Sequence, residues 1–260
     1  MKHNWKVTVL LLTLFLIAQY VGMYINAYYF ETSLPYGITK ATFHAQYSYI
    51  ELFIYLLFGF GLGLLLAKFS LGKLWKIWFF IAVVIGLVIG FSAFIPAGIA
   101  FILAVLGAFF KIVKPNIYVH NFTELFLYGG IMALFSSSLT LFSVSILLIL
   151  ISFYDMWAVW KSKSMIFLAK FQTKLKVFGG FLIPYKKKQA ILGGGDVAFT
   201  LLFNSVTYFT YGWKALILPL IVGLSLFFLF YLGKKNKFYP AMPFLTTGCF
   251  IGLGIVKFLL

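Results

Sequence analysis

One feature dominates what this chain can fold into. From end to end it is a succession of apolar runs, each about as long as a lipid bilayer is thick. A helix needs about 20 mostly apolar residues to span the hydrocarbon. Such runs occur at 5–28, 47–67, 75–95, 97–113, 120–136, 139–160, 190–211, 214–232 and 240–259. Most are apolar around their whole circumference, unlike the one-sided helices of a soluble domain. In lipid a backbone must satisfy its own hydrogen bonds, so these runs are expected as helices. The expected fold is all-α, a polytopic membrane protein of nine transmembrane helices. The run from Val7 to Tyr28 is too long for a cleaved signal peptide and lacks a small-residue cleavage site, so it reads as the first span.

Some breaks are sharp. Pro96-Ala97-Gly98 separates the third and fourth runs, and Lys111 to Pro115 ends the fourth. The break between the fifth and sixth rests on Ser136-Ser137-Ser138, whose hydroxyls can turn the backbone. Charge gives a separate check. All 21 cations are Lys. With the N-terminus in the cytoplasm and nine crossings, only Lys40, Lys214 and Lys257 fall on the far side. The positive-inside rule thus predicts N-terminus in and C-terminus out. The net charge of +16 then marks contact with lipid headgroups, not nucleic acid, because the Lys residues lie between spans. Cys249 is the only cysteine, which excludes an internal disulfide or a thiolate cluster. No metal site or cofactor is expected.

The layout divides the chain into a six-helix part (1–160), a basic cytoplasmic loop (161–189) and a three-helix part (190–260), together one membrane domain. The loop mixes Lys with apolar pieces, which suits an amphipathic segment on the membrane surface. Alternatively, residues 176–185 supply a strand for pairing with a peptide just before the seventh span.

Two of the five acidic residues stand out. Glu31, Glu51 and Glu124 read as loop or interfacial positions. Asp155 and Asp196 lie inside spans, where a charge is costly and marks a polar cavity or a partner. Asp155 is about 9 Å along a helix from Lys161, and Asp196 at most about 12 Å from Lys188. The two carboxyls therefore share a depth on consecutive, antiparallel spans. Close carboxyls cannot both ionise easily and share one proton, leaving one acid and one base. Depth alone leaves hydrolysis and proton- or cation-coupled transport equally open.

The flanks favour hydrolysis. Gly193, Gly194 and Gly195 weaken a helix by about 1 kcal/mol each against Ala. They let backbone approach Asp196 closely. Pro240-Ala241-Met242, with Pro243, opens the last span at the same depth, where unwound backbone could meet a substrate. Tyr154 is placed to hydrogen-bond near the acids or to pack. Other hydrolases fit poorly. His-Glu-x-x-His is absent, and His3, His44 and His120 all lie at flanks, with no Gly-x-Ser-x-Gly nearby.

Tyr154-Asp155, Gly193-Gly194-Gly195-Asp196 and Pro240-Ala241-Met242 resemble the YD, GxGD and PAL motifs of the presenilin and signal peptide peptidase family of intramembrane aspartyl proteases. They occur in that family's order, and the chain is most similar to a stand-alone microbial presenilin homologue. Gly194 departs from the usual larger apolar residue, and Met242 replaces Leu. The resemblance implies a water activated between Asp155 and Asp196 that cleaves transmembrane peptides or single-span membrane proteins. Tyr154, the three glycines and Pro240-Ala241-Met242 would support the site. A Lys-rich loop on the cytoplasmic side matches the presenilin branch. The resemblance places the protein, multi-pass, in the cytoplasmic or an equivalent inner membrane. The alternative is a transporter or leak channel using the same two Asp residues. Oligomeric state is not legible.

Overall fold

The apolar runs fold as helices because amides shielded from water can bond only to each other. The computed structural model describes residues 4–44, 46–185, 188–233 and 239–258. The cations Lys2, Lys186, Lys187, Lys234, Lys235 and Lys237, used above to orient the chain, lie outside the described residues. In chain order the helices are α1 (Trp5–Glu31), α2 (Ser48–Lys68), α3 (Gly72–Ser92), α4 (Ala97–Ile112), α5 (Ile117–Ala133) and α6 (Leu141–Met156). A short helix α7 (Ser164–Lys174) and a hairpin, β1 (Gly180–Tyr185) and β2 (Lys188–Gly193), follow. The chain ends with α8 (Gly194–Tyr211), α9 (Leu218–Leu232) and α10 (Met242–Phe258). The fold is all-α apart from that hairpin.

Among the described residues, five stretches are long and apolar enough to cross a membrane: Trp5–Glu31, Ser48–Lys68, Gly72–Ser92, Leu141–Lys161 and Gly194–Leu232. The last joins α8 to α9 through a tight turn at Gly212, whose φ of 62° suits glycine. The Ser136–Ser138 break is real. It forms a single 3-10 turn, and the Ser138 hydroxyl donates to the Ala41 carbonyl. Side-chain caps start the flanking helices. Asn116 accepts from the amides of Tyr118 and Val119, and Thr140 from that of Ser143.

Two expectations are corrected. The seventh run was expected to be helical from residue 190, but residues 188–193 are strand and α8 begins only at Gly194. Glycine is a poor helix former, and the helix begins only where Asp196 and the apolar residues beyond can carry its first turn. The 161–189 segment is not a simple surface-lying stretch either. It is a helix followed by most of a hairpin that packs into the main core through Phe181, Ile183, Ala190 and Leu192.

Helix association in lipid depends on close packing, because lipid tails are as apolar as the helix surfaces. Helices α1, α6, α8, α9 and α10 build one core, and α3, α4 and α5 a second. Buried residues of α1 follow one stripe, including Leu11, Phe15, Ala18, Gly22, Ile25 and Tyr29. Small residues mark the tightest crossings. A Cβ on Gly90 would stand 2.7 Å from the Phe126 carbonyl, and one on Gly130 would collide with Gly86 backbone. Gly130→Ala is therefore expected to cost about 1–3 kcal/mol. The cost would read as a lower unfolding temperature in micelles. Gly61→Ala, with nothing within 4 Å of the new methyl, is expected to show no such loss. By contrast α2 buries only Ser48, Leu52, Gly63 and Ala67.

Candidate active site

Asp155 lies in the last turn of α6, and Asp196 is the third residue of α8. These two helices pack against each other. Both Asp residues line one cavity of about 340 Å³. Its other walls are mostly apolar, with Phe53, Leu56 and Phe60 of α2, Met165 and Ile166 of α7, and Phe199 of α8 beside Tyr154 and Tyr239.

Local sequence explains how each acid is presented. One turn of π-helix, Trp157–Lys161, follows Asp155 and widens the end of α6. Lys163, at φ 55°, then reverses the chain so that α7 returns over the cavity. Asp155 is buried, and its Oδ2 accepts the Met242 backbone N–H at 3.1 Å. That donor is turned to Asp155 because residues 239–241 are not helical and α10 starts only at Met242. The proline segment was expected to offer backbone to a substrate. Its Met242 amide is bonded to Asp155.

The other expected residues divide. Gly193 and Gly195 line the cavity, and a Cβ on Gly193 would crowd Asp196 Oδ2 at 3.0 Å. Gly194 faces away, where its Cβ would meet the Gly179 carbonyl and the Tyr128 hydroxyl, each at 3.1 Å. Ala241 and Met242 line the cavity, while Pro240 is buried behind them. Tyr154 lines it too, its ring edge-on to Phe60 at 5.4 Å.

Sequence reasoning missed a polar column on α5. Lys111 and Glu124, read above as a flank and an interfacial position, form a buried ion pair. Burial of either alone would be costly; pairing offsets part of that penalty. His120 lies beside Glu124, and Tyr128 follows one turn on. The i, i+4, i+8 spacing of His120, Glu124 and Tyr128 along an apolar run was the available signal. Asn204 joins α8 to α1: its Nδ2 donates to Gln19 Oε1 at 2.9 Å. Gln19 in turn donates to the Val197 carbonyl and to Thr200 Oγ1. Thr200 donates to the carbonyl of Asp196.

The family described as signal-peptide peptidase, presenilin aspartyl protease matches residues 9–196, most of the chain. The chain belongs to that family. The match ends on Asp196, so the Pro240-Ala241-Met242 segment lies beyond it. Two solved structures of a presenilin family intramembrane aspartate protease share the fold. One, in space group C222, superposes with a TM-score of 0.69 at 19% identity, covering 97% of this chain and 99% of that one. The other, in space group P2, gives 0.68 at 19% identity over 96% and 97%. No curated protein matches the sequence. As a family member the protein is an aspartic endopeptidase that cleaves within the bilayer, an integral multi-pass membrane protein acting on transmembrane segments. The transporter alternative has no support from these relatives.

Proposed function

We propose that Asp155 and Asp196 are the catalytic pair of this protease, acting on a water held between them. The observation that carries this reading is their convergence on one cavity from the facing ends of α6 and α8. One carboxylate takes a proton from the water as general base. The other, protonated, donates to the scissile carbonyl oxygen. A tetrahedral diol forms and then collapses as a proton passes to the leaving nitrogen.

The supporting residues act by position. The Met242 amide fixes the Asp155 carboxyl, Gly193 leaves room at Asp196, and Tyr154 walls the cavity. Because Met242 works through its backbone, Met242→Leu is expected to change stability by less than about 1.5 kcal/mol. It should also preserve cleavage, checked by unfolding temperature and peptide turnover.

A helical substrate must unwind before its amides can react, and exposed backbone in lipid needs new partners. The hairpin can supply them. Leu182 directs its N–H and C=O away from β2. Its register partner is Ile191, so Ile191 directs its own outward on the far edge. With a period of two, Gln189 and Gly193 do the same. An extended peptide on that edge runs past Gly193 towards Asp196. Of the 176–185 segment, one of two readings of which was a strand for peptide pairing, Gly180–Tyr185 forms β1, whose outer edge bonds to Asn121. The lightly packed α2 wall is the side from which a single-span substrate reaches the cavity. Nine crossings, with N-terminus in, C-terminus out and the 161–189 loop cytoplasmic, complete the reading. The parts 1–160 and 190–260 then work as one membrane unit in the cytoplasmic or an equivalent inner membrane.

The test is turnover of a single-span peptide by the purified chain in detergent micelles, with and without a hydroxyl isostere of the diol. Inhibitable cleavage within the apolar segment supports the assignment. Absence of cleavage from mildly acidic to neutral pH counts against it.

A further inference from the structure

The hairpin's two edges are unequal, and α5 makes them so. On β1 the Leu182 N–H donates to Asn121 Oδ1 at 3.0 Å, and the Leu182 carbonyl accepts from Asn121 Nδ2 at 2.8 Å. The Gly180 carbonyl accepts from His120 Nε2 at 2.7 Å. A carbonyl only accepts, so Nε2 carries the proton in this pairing. Pro184, the next outward position, has no N–H to offer. Side chains of one helix thus occupy the outer edge of β1 as a third strand would.

His120 is itself held in place. It is buried, and its Nε2 lies 3.8 Å from Glu124 Oε1. Glu124 is paired in turn with Lys111 of α4. The chain of contacts runs from a buried ion pair, through one imidazole, to the strand that sets the register of Gly193 against Gly180.

We propose that His120 and Asn121 are positioning residues for proteolysis. They close β1 to incoming peptide and commit the sheet to growing only on β2, in the register that ends beside Asp196. The proposal rests on the strand-pairing reading above. Neighbouring strands lie about 4.8 Å apart, so a peptide on the wrong edge would lie three spacings, about 14 Å, from the correct one. At that distance no scissile bond reaches the two carboxyls. An exposed edge beside the membrane would also invite mispairing, which the side-chain cap prevents.

The test uses the purified full chain in micelles with a single-span peptide. It compares Asn121→Leu, His120→Leu and His120→Gln, the last of which keeps a donor for the Gly180 carbonyl. Three quantities are read: kcat and KM, the bonds cleaved by mass spectrometry, and inhibition by a short hydroxyl isostere that reaches only the two Asp residues. Asn121→Leu removes two hydrogen bonds and is expected to lower kcat/KM roughly tenfold or more. The loss should fall mainly in KM, spread cleavage over neighbouring bonds and leave isostere inhibition unchanged. His120→Gln should retain more activity than His120→Leu, a comparison that decides the matter if Asn121→Leu does not fold. Wild-type KM and a single wild-type cleavage bond in Asn121→Leu and His120→Leu would overturn the proposal. So would a parallel loss of isostere inhibition, which would mark the two side chains as merely structural. Disulfide capture of a cysteine-bearing peptide by Ile191→Cys, with α5 intact, separates the two readings. No capture refutes strand pairing itself. Capture at an unchanged peptide position with and without the α5 substitutions leaves pairing standing and refutes the positioning role.

Discussion

Asp155→Asn and Asp196→Asn are each expected to lower peptide cleavage by about a thousandfold or more. General acid and general base catalysis each contribute roughly 10²–10⁴-fold. In the proposed cycle each carboxyl acts first in one role and then in the other, so losing either should stop it. The double variant is expected to be no worse than the worse single one, because groups acting as a unit are grossly non-additive. Folding should survive. Asn is nearly isosteric with Asp, and its carbonyl oxygen can still accept the Met242 amide that binds Asp155 Oδ2. Turnover measured beside the unfolding temperature separates the two effects. Cleavage near the wild-type rate by either folded variant would remove that residue from the chemistry.

The second large effect is on stability. Lys111→Met leaves the Glu124 carboxylate buried without its partner, a loss expected to cost about 3–5 kcal/mol. Glu124 is fully buried and Lys111 almost so, and water cannot screen the abandoned charge. Removing both charges in Lys111→Met/Glu124→Leu is expected to recover most of the loss, since an apolar pair of similar volume is often as stable. Denaturant unfolding in micelles, with His120 and Asn121 unchanged, measures both variants. A double variant as unstable as the single one would show that the charges do more than cancel each other.

The contrast between these two sites shows what the sequence makes legible. Asp155 and Asp196 stand out because each lies alone in an apolar run, where a lone charge needs a reason. Lys111 and Glu124 were misread because each lies near the end of a run, and end positions resemble flanks. Only the fold brings residues of α4 and α5 together and seals them. Span existence was readable because hydropathy is a property of composition. The buried stripe of α1 was not, because that helix is apolar on every side, and close packing instead selects small residues such as Ala18 and Gly22. The hairpin was half visible. Residues 176–185 were open to reading as a strand, but the glycines before Asp196 were read as weakened helix. They are the end of β2 and the first turn of α8. The edge on which a peptide can pair depends on Asn121, some sixty residues away from its Leu182 partner, and no local pattern announces that contact.

The most direct measurement is an experimental structure of the purified chain with a hydroxyl-bearing peptide isostere. The hydroxyl is expected within hydrogen-bonding reach of both Asp155 and Asp196, with the flanking peptide extended along Gln189, Ile191 and Gly193. A hydroxyl bound elsewhere, or one touched by a single Asp while the other faces lipid, would contradict a two-aspartate protease at this cavity.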